Sequence, residues 1–347
     1  MKKILMYAVC FSLFFALDAN GRGIKEEGLC YLGVDIGGTS TKIAIVNSRG
    51  GIKEDIFINT NKDAEPEEVI ETIVKAASKL KDYSKVEKIG VGIAGDIDYE
   101  KGIVRFSPNL PKWKQVPLKE MLEKSSKKKV IVDNDANVAS IGAFWLDAKG
   151  EATNLICITL GTGVGGGLIF NKELYRGSSG TAGEIGHITI FPNGSKCNCG
   201  NKGCVEALIG ANYLSKHAVN YLKKHKSPVI DKLTGKNYSQ ITPKLIFEAA
   251  QSGDDAAKEL CKRMGKNLGI LLADIINFVN PDTIVICGGM TLSSKNYMDY
   301  ALDETKKRAF KSALEVCKIV ISKNTDKLGV VGAAMLSAET KKQTLAN

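Results

Sequence analysis

One histidine and three cysteines lie close together near the middle of the chain. His187 is followed by Cys197, Cys199 and Cys204 in the pattern H-x9-C-x-C-x4-C. One imidazole and three thiolates complete a tetrahedral shell on zinc and leave no position for water or substrate, as in structural sites. The sequence therefore predicts a structural Zn2+ at these four residues. A reduced loop of unrelated cysteines and a disulfide are the alternatives.

Two carboxylates flank this cluster. Glu184 lies three residues before the histidine and Glu206 two residues after the last cysteine, so a bound metal would fix the two acidic side chains relative to each other. Carboxylates and amides suit polyhydroxylated ligands, because each hydroxyl donates one hydrogen bond and accepts others. Glu184, Glu206 and Asn134 have this chemistry, and Asn109 is a further candidate.

Glycine-rich turns follow three apolar runs that we predict as strands. Glycine lets backbone N–H groups approach phosphate oxygens, and threonine hydroxyls can donate to phosphate or to metal-bound water. Each turn alone is more often a tight structural turn, and the chain has no G-x-x-x-x-G-K-[ST] motif. With Asp35 and Lys42 beside the first turn, they suggest a nucleotide between facing loops and Mg2+ held by Asp35 through water. The three turns are Gly37-Gly38-Thr39, Gly161-Thr162-Gly163 and Gly288-Gly289.

Two aspartates, Asp133 and Asp135, stand where a predicted strand passes into a predicted helix. At such a junction Asp135 points towards a cleft, whereas Asp133 lies further back in the strand and faces the other way. In phosphoryl transfer a carboxylate orients the attacking hydroxyl and accepts its proton. We therefore predict Asp135 as the base; the alternative is an aspartate that only caps the helix beginning at Ala136.

A glycine-rich hairpin occurs twice in the sequence. The run from Leu155 to Asn171 overlays the first hairpin, which ends at Asn47, without a gap, so that Gly37 meets Gly161. The pattern indicates a duplicated α/β architecture with a cleft between halves, and chance similarity is the alternative. Helices are predicted at 67–81, 136–146, 206–223, 243–252, 254–278, 296–310 and 329–338, and further strands at 89–93, 130–132, 283–287 and 316–321.

The composition sets limits on these hypotheses. A chain of 347 residues with 44% hydrophobic content predicts two domains or one bilobal unit. The formal charge of +10 invites a nucleic-acid hypothesis, but the lysines are spread along the chain, which favours a solvated surface. Six of the nine cysteines lie outside the metal cluster, mostly in apolar runs. This usage is typical of a reducing cytosol, and we expect a cytoplasmic protein without stable membrane association or nucleic-acid partner.

The N-terminus does not fit that expectation. Lys2-Lys3 and the apolar stretch from Ile4 to Leu17 have the pattern of a secretory signal, although the cleavage site is poor and the stretch is short for a membrane span. A start codon placed too far upstream, a tolerated appendage and true export are all open. Residues 1–23 are therefore set apart as a signal-like or appended leader.

Four motifs together resemble the ROK family of sugar kinases and repressors, within the actin-like ATPase superfamily. The resemblance runs from Leu29 to about Ala338. It implies a duplicated actin-like (ribonuclease H-like) fold with a small lobe at 24–133 plus about 318–347 and a large lobe at 134–317. The motifs are Asp35-Ile-Gly-Gly-Thr-Ser-Thr-Lys42, Leu160-Gly-Thr-Gly-Val-Gly-Gly-Gly167, Gly183-Glu-Ile-Gly-His187 and Cys197-Asn-Cys-Gly-Asn-Lys-Gly-Cys-Val-Glu206.

The resemblance also implies roles for individual residues. Asp135 is expected as the catalytic base, and His187 is expected to bind zinc with one ring nitrogen and a sugar hydroxyl with the other. Mg2+ is expected with ATP, and a homodimer is a family expectation. The expected sugar ligands are Asn109, Asn134, Asp135, Glu184, His187 and Glu206. The expected ATP-binding residues are Asp35, Gly37, Gly38, Thr39, Thr41, Lys42, Gly161, Thr162, Gly163, Gly165, Gly288 and Gly289.

The resemblance favours an enzyme that phosphorylates a hexose, with glucose converted to glucose 6-phosphate as the first expectation. The segment from Ser107 to Trp113 and the isoleucine in Gly-Glu-Ile-Gly-His look like the glucokinases of the family. Kinases of N-acetylmannosamine or N-acetylglucosamine are the alternative. A non-catalytic sugar-sensing regulator is a second alternative, although repressors of this family carry a DNA-reading domain ahead of the first hairpin, and few residues precede Leu29 here.

Overall fold

The computed structural model describes residues 29–339, so the leader predicted at 1–23 lies outside the described residues. This part of the chain forms thirteen strands and eleven α-helices. None of these helices combines the length and the apolar character that crossing a bilayer requires. The strands are β1 (Cys30–Ile36), β2 (Ser40–Asn47), β3 (Ile52–Asn59), β4 (Lys88–Ile93), β5 (Asp96–Asp98), β6 (Ile103–Phe106), β7 (Lys114–Val116), β8 (Lys129–Asn134), β9 (Leu155–Leu160), β10 (Val164–Phe170), β11 (Glu173–Tyr175), β12 (Thr283–Cys287) and β13 (Lys318–Ile321). The helices are α1 (Pro66–Ala77), α2 (Leu118–Ser126), α3 (Asp135–Leu146), α4 (Val205–Ile209), α5 (Ala211–Leu222), α6 (Pro228–Thr234), α7 (Pro243–Gln251), α8 (Asp255–Val279), α9 (Met298–Arg308), α10 (Lys311–Val316) and α11 (Leu328–Glu339).

The duplication predicted from the two hairpins is present in the sheets. One five-stranded sheet has the order β3-β2-β1-β4-β8 and the other has the order β11-β10-β9-β12-β13. In both, an antiparallel meander of three strands is extended by two parallel strands. The loop between β1 and β2 and the loop between β9 and β10 have equal length, as the gapless overlay requires.

The sheets and helices form five layers. Helices α1 and α2 pack with the first sheet in one apolar core, and α5, α7 and α8 pack with the second sheet in another. A third core contains α3 and α11, which lie between the two sheets. Helix α11, the last of the second half, packs on β1 and β4, whereas α3, the last of the first half, packs on β9 and β10. Each half therefore supplies a helix to the sheet of the other.

Glycines allow the central layer to pack at backbone distance. A Cβ atom placed on Gly90 of β4 would lie 1.7 Å from the carbonyl oxygen of Ala333 in α11. A Cβ on Gly332 would lie 1.8 Å from the carbonyl oxygen of Val138 in α3. Any side chain at these positions would force the helix away. Glycine is therefore needed here for close packing and not for turn geometry.

Two differences between the predicted and the observed boundaries change the architecture. The helix predicted at 206–223 is broken at Gly210, whose extended backbone (φ −60°, ψ 146°) separates α4 from α5. The small lobe was predicted to resume at about residue 318, but β13 pairs with β12 in the second sheet. The C-terminal contribution to the first sheet therefore begins with α11. Periodicity could not reveal this, because β13 reads as an ordinary strand in either sheet.

We expect Gly90→Ala to lower the free energy of unfolding by more than about 3 kcal/mol, because the new methyl group would overlap a backbone atom that cannot rotate away. Urea denaturation measures the effect. Gly289→Ala is the matched control, since a Cβ there meets no atom within 4 Å. If Gly90→Ala proved as stable as the control, α11 could not lie this close to β4.

Candidate active site

The predicted functional residues gather at the carboxyl ends of strands from both sheets. Asp35 lies near the end of β1, and Asp135 directly follows β8 in the first sheet. The turns at Gly161 and Gly288 directly follow β9 and β12 in the second sheet. Ligands of open α/β sheets bind at this edge, so the fold brings the two predicted loops and the predicted base to one cleft.

The turn that carries Asp135 is held by Asn134. The Asn134 Oδ1 atom accepts hydrogen bonds from the N–H groups of Ala136 (2.8 Å) and Asn137 (3.3 Å), so this residue caps α3. Its amide nitrogen donates to the carbonyl oxygen of Gly95 at 3.0 Å and keeps a second N–H for a ligand. The residue that caps the helix is thus mainly Asn134, and not Asp135 as the alternative supposed. Asp135 contributes one oxygen, 3.0 Å from the Ala136 nitrogen, and is exposed in the cleft.

The carboxyl groups in the cleft influence one another. Loss of water raises the pKa of Asp35 from its ordinary 3.8 to about 6; the nearby Asp135 charge adds to the effect and Lys42 opposes it. The pKa of Asp135 is also raised, chiefly because the surrounding protein displaces water around a side chain that stays open to the cleft. The Ala136 N–H opposes this shift and Glu184 adds to it. Residues of both halves thus share one negative field.

Asp35 is enclosed by a neighbour on β2 and by residues from the C-terminal part of the chain. Lys42 is its directly paired neighbour on β2, and the Lys42 ammonium group donates to the carbonyl oxygen of Asp326. A Cβ on Gly329, at the start of α11, would lie 2.2 Å from the Asp35 carboxylate. Gly329 was not among the predicted site residues. Only the run of small residues in α11 pointed towards it, and such runs are common in packed helices.

The second glycine loop is tied to Glu206. One carboxylate oxygen of Glu206 accepts a hydrogen bond from the Val164 N–H at 3.1 Å. A Cβ on Gly163 would lie 2.3 Å from that same oxygen, so glycine is needed there to admit the carboxylate. The Gly161 carbonyl oxygen accepts the N–H of Ala211, the first residue of α5, at 3.0 Å. Glu206 and α5 therefore fix the shape of this loop.

The four predicted metal ligands converge. Their ligating atoms all lie within 4.8 Å of one another. The Cys199 and Cys204 sulfurs are 3.7 Å apart, and the Cys197 sulfur is 3.7 Å from His187 Nδ1. Four ligands at about 2.3 Å from a tetrahedral zinc ion are separated by about 3.7 Å, so the geometry and the soft donor set both fit this metal.

His187 faces two partners. Its Nδ1 atom points to Cys197, and its Nε2 atom lies 3.8 Å from the Glu184 carboxylate in the cleft. Glu206 extends the same connection, because its second carboxylate oxygen is 3.8 Å from the Cys197 sulfur. The cysteine cluster is thus in direct contact with two side chains predicted to bind the substrate.

Four further predicted residues are exposed, as a role in the cleft requires. Asn109 is exposed at the tip of a loop anchored by the fully buried Trp113, and it abuts the first glycine turn, since a Cβ on Gly38 would lie 3.0 Å from the Asn109 Cβ. Thr39, Thr162 and Gly289 are the other three exposed residues.

Thr41 and Gly165 do not face the cleft in the expected way. Thr41 is fully buried and its hydroxyl pairs with that of Thr60 at 2.8 Å, so this side chain is not available to a nucleotide. Alternation along β2 turns its side chain inward, beside the outward-facing Lys42. A Cβ on Gly165 would lie 2.7 Å from the Thr159 hydroxyl and 3.3 Å from the Ala136 Cβ. This glycine lets α3 pack on β10.

Comparisons with known proteins agree with this geometry. The chain is 33% identical to a glucokinase from Thermotoga maritima over 308 residues, which cover 89% of this chain and 97% of that enzyme. It is also 33% identical to an N-acetyl-D-glucosamine kinase from Vibrio cholerae over 329 residues, covering 88% of this chain and 99% of that enzyme. The crystal structure of a ROK family glucokinase from Streptomyces griseus in complex with glucose and AMPPNP matches with a TM-score of 0.74 and 31% identity, covering 90% of this chain and 100% of the other.

The repeated sheets, the exchanged central helices and the cleft between glycine turns define an α/β protein of the actin-like type. The model of the ROK family matches residues 31–340, and the chain belongs to the ROK family. The two kinases have the same percentage identity to this chain, so identity alone does not distinguish a plain hexose from its acetamido derivative.

The raised pKa of Asp35 has a consequence for stability. Because the folded chain binds this proton more tightly than the unfolded chain, ionised Asp35 destabilises the fold above about pH 6, and the penalty disappears as the pH falls through 6 towards 4. Without nucleotide or divalent cation, Asp35→Asn should therefore raise the free energy of unfolding by about 1 to 3 kcal/mol at pH 8 and by much less at pH 4.

Urea denaturation at the two pH values measures this difference. Asp98→Asn is the control, because a backbone N–H of Lys101 and the Arg105 guanidinium hold the pKa of Asp98 below its usual value. That variant should gain no stability at pH 8. Equal behaviour of the two variants would show that Asp35 carries no such penalty.

Proposed function

We propose that the protein transfers the terminal phosphoryl group of ATP to a hexose, with glucose and its 6-hydroxyl as the first choice and Asp135 as the base. The observation that carries the proposal is the position of Asp135. Its carboxylate is exposed at the start of α3, next to Asp35 of the first half and Glu184 of the second. A base for phosphoryl transfer must lie between the donor and the acceptor, and this position meets that requirement.

The donor side would be formed by the glycine turns. Gly289 has open space where a Cβ would lie, so phosphate oxygens can approach its backbone N–H group. Gly161 is equally open, although its own N–H donates to the Gly163 carbonyl oxygen at 3.0 Å. Asp35 has the chemistry to hold Mg2+ through water, and the divalent ion would offset the loss of water and the repulsion by Asp135 that raise the pKa of this carboxyl group. Lys42 would add positive charge beside the same carboxylate.

The acceptor side would be formed by the loops around the cysteine cluster. Glu184 and His187 Nε2 lie together in the cleft, and the second N–H of Asn134 and the exposed Asn109 can add hydrogen bonds to hydroxyls. Glu206 already accepts one N–H and retains further lone pairs for a hydroxyl. These groups fix orientation, so that a single hydroxyl is presented to Asp135.

We further propose that the cluster binds a structural Zn2+. The donor set and the ligand separations support zinc, and all four positions of the tetrahedron would be filled by the protein. The ion would supply no chemistry of its own. Its effect would pass through His187, whose Nδ1 atom faces the cluster while Nε2 faces the cleft.

Coupled measurement of ADP release tests the function. The assay uses the chain from Ile24 onwards with Mg-ATP against glucose, N-acetylglucosamine, N-acetylmannosamine, mannose, fructose and allose. We expect the highest kcat/KM for glucose. A preference for an acetamido sugar would keep the mechanism and replace the substrate, whereas no release with any sugar from a folded, zinc-loaded protein would contradict the proposal.

Asp135→Asn should reduce kcat by about 100- to 10,000-fold, because the amide cannot accept the hydroxyl proton. The amide is nearly isosteric, so the affinity for the sugar should change little. Steady-state kinetics and titration calorimetry measure the two quantities. Full turnover by this variant would show that another group serves as the base.

Removal of the metal should impair sugar use more than ATP use. We expect Cys197→Ser, or treatment with a zinc chelator, to lower kcat/KM for the sugar by about 100-fold, since misplacement of sugar ligands by about 1 Å has effects of this size. Elemental analysis should find one zinc ion per wild-type chain. Cys317→Ser removes a thiol outside the cluster and should retain both the zinc and the activity.

A further inference from the structure

An arginine bridges the two halves of the molecule directly behind the candidate base. Arg176 follows β11, an edge strand of the second sheet, and Asp133 lies in β8, an edge strand of the first sheet. The Arg176 Nε atom donates to the Asp133 carboxylate at 2.7 Å. The Asp133 side chain is only 2% exposed and that of Arg176 18%, so the ion pair is shielded from water.

Asp133 transmits this contact to the turn that carries Asp135. Its second carboxylate oxygen accepts hydrogen bonds from the Asn134 N–H at 2.8 Å and from the Asn137 amide at 2.9 Å. These residues precede and follow the candidate base. A buried carboxylate that loses its cation must reorganise to find other partners, and its other hydrogen bonds change with it.

Arg176 is itself fixed on two further sides. Its guanidinium group lies over the ring of Tyr99 with 3.9 Å between the guanidinium carbon and the ring centroid, and Tyr99 belongs to the hairpin between β5 and β6 of the first half. Its carbonyl oxygen accepts the N–H of Ala182 at 3.0 Å, which closes the loop leading to Glu184. Arg176 therefore reaches the turn that carries Asp135 through its side chain, and the loop that leads to Glu184 through its backbone.

We propose that Arg176 is a positioning residue that sets the Asp135 turn of the first half against the Glu184 loop of the second half. Arg176 does not touch the reacting atoms. It acts by holding the acceptor hydroxyl and the base in a fixed relative position across the junction between the two halves. The inference rests on the proposed function, because it names how that site is aligned.

The experiment compares Arg176→Ala and Arg176→Lys with Arg105→Ala. Arg105 is the control, since it also pairs with carboxylates, Asp96 and Asp98 in the hairpin of Tyr99, but its ion pairs are more exposed and, in the described part of the chain, none of them involves the Asp135 turn. We expect Arg176→Ala to lower kcat/KM for the sugar by about 10- to 100-fold and to leave KM for ATP within about threefold. Arg176→Lys should be intermediate, because lysine keeps the charge but lacks the planar group and the Nε–H. Arg105→Ala should match the wild type.

Millimolar guanidinium should restore part of the activity of Arg176→Ala, which a general loss of stability would not allow. Wild-type kinetics in Arg176→Ala would overturn the inference, as would a parallel loss in both substrates that guanidinium does not restore. If Arg176→Ala fails to fold, Arg176→Lys and Tyr99→Leu decide, and full sugar kcat/KM in both would overturn it. An inactive wild-type protein would instead contradict the proposed function itself.

Discussion

The contact of α11 with the first sheet is the constraint on which the rest of the structure depends. Gly33 and Gly90 let the helix backbone approach β1 and β4, and Gly142 and Gly332 do the same where α11 meets α3. Helices that touch through backbone atoms cannot slide without breaking van der Waals contact along their length. The two sheets are therefore held at one separation, and the carboxyl ends of their strands face each other. The strand ends at this junction carry Asp35, Asp135 and the turns at Gly161 and Gly288.

The junction concentrates negative charge. Loss of water raises the pKa of both Asp35 and Asp135, and a neighbouring carboxylate adds to each shift, Asp135 in the case of Asp35 and Glu184 in the case of Asp135. Such an arrangement lowers the stability of the ligand-free protein. Active sites commonly have this cost, because the charged groups that catalysis needs are placed where they do not stabilise the fold. Lys42 offsets only part of the charge around Asp35. A bound divalent cation and donor hydroxyls of a sugar would supply the missing partners, so the loss of water and the repulsion that destabilise the free protein would favour the binding of such ligands.

The sequence predicted local features better than long-range ones. Thr283–Cys287 was predicted as a strand at the bounds the structure has, and the hairpin repeat correctly indicated two related sheets. The cysteine spacing identified a cluster whose atoms do converge. Thr41 was assigned to the nucleotide because it sits inside a motif, although strand alternation turns it inward. Gly329 and the Arg176–Asp133 pair were not found, because a contact between distant segments leaves no periodicity in either one.

Because the halves exchange helices, the first sheet is synthesised long before the helix that covers it. β1 and β4 are complete when Ile93 has been added, but the helix that covers their inner face ends at Glu339. At about 5 to 20 residues per second, about 10 to 50 seconds pass between these points. Throughout that interval Ala44 and Val46, which are fully buried in the finished protein, have no cover from α11. The nascent first half thus leaves an apolar face uncovered until α11 leaves the ribosome.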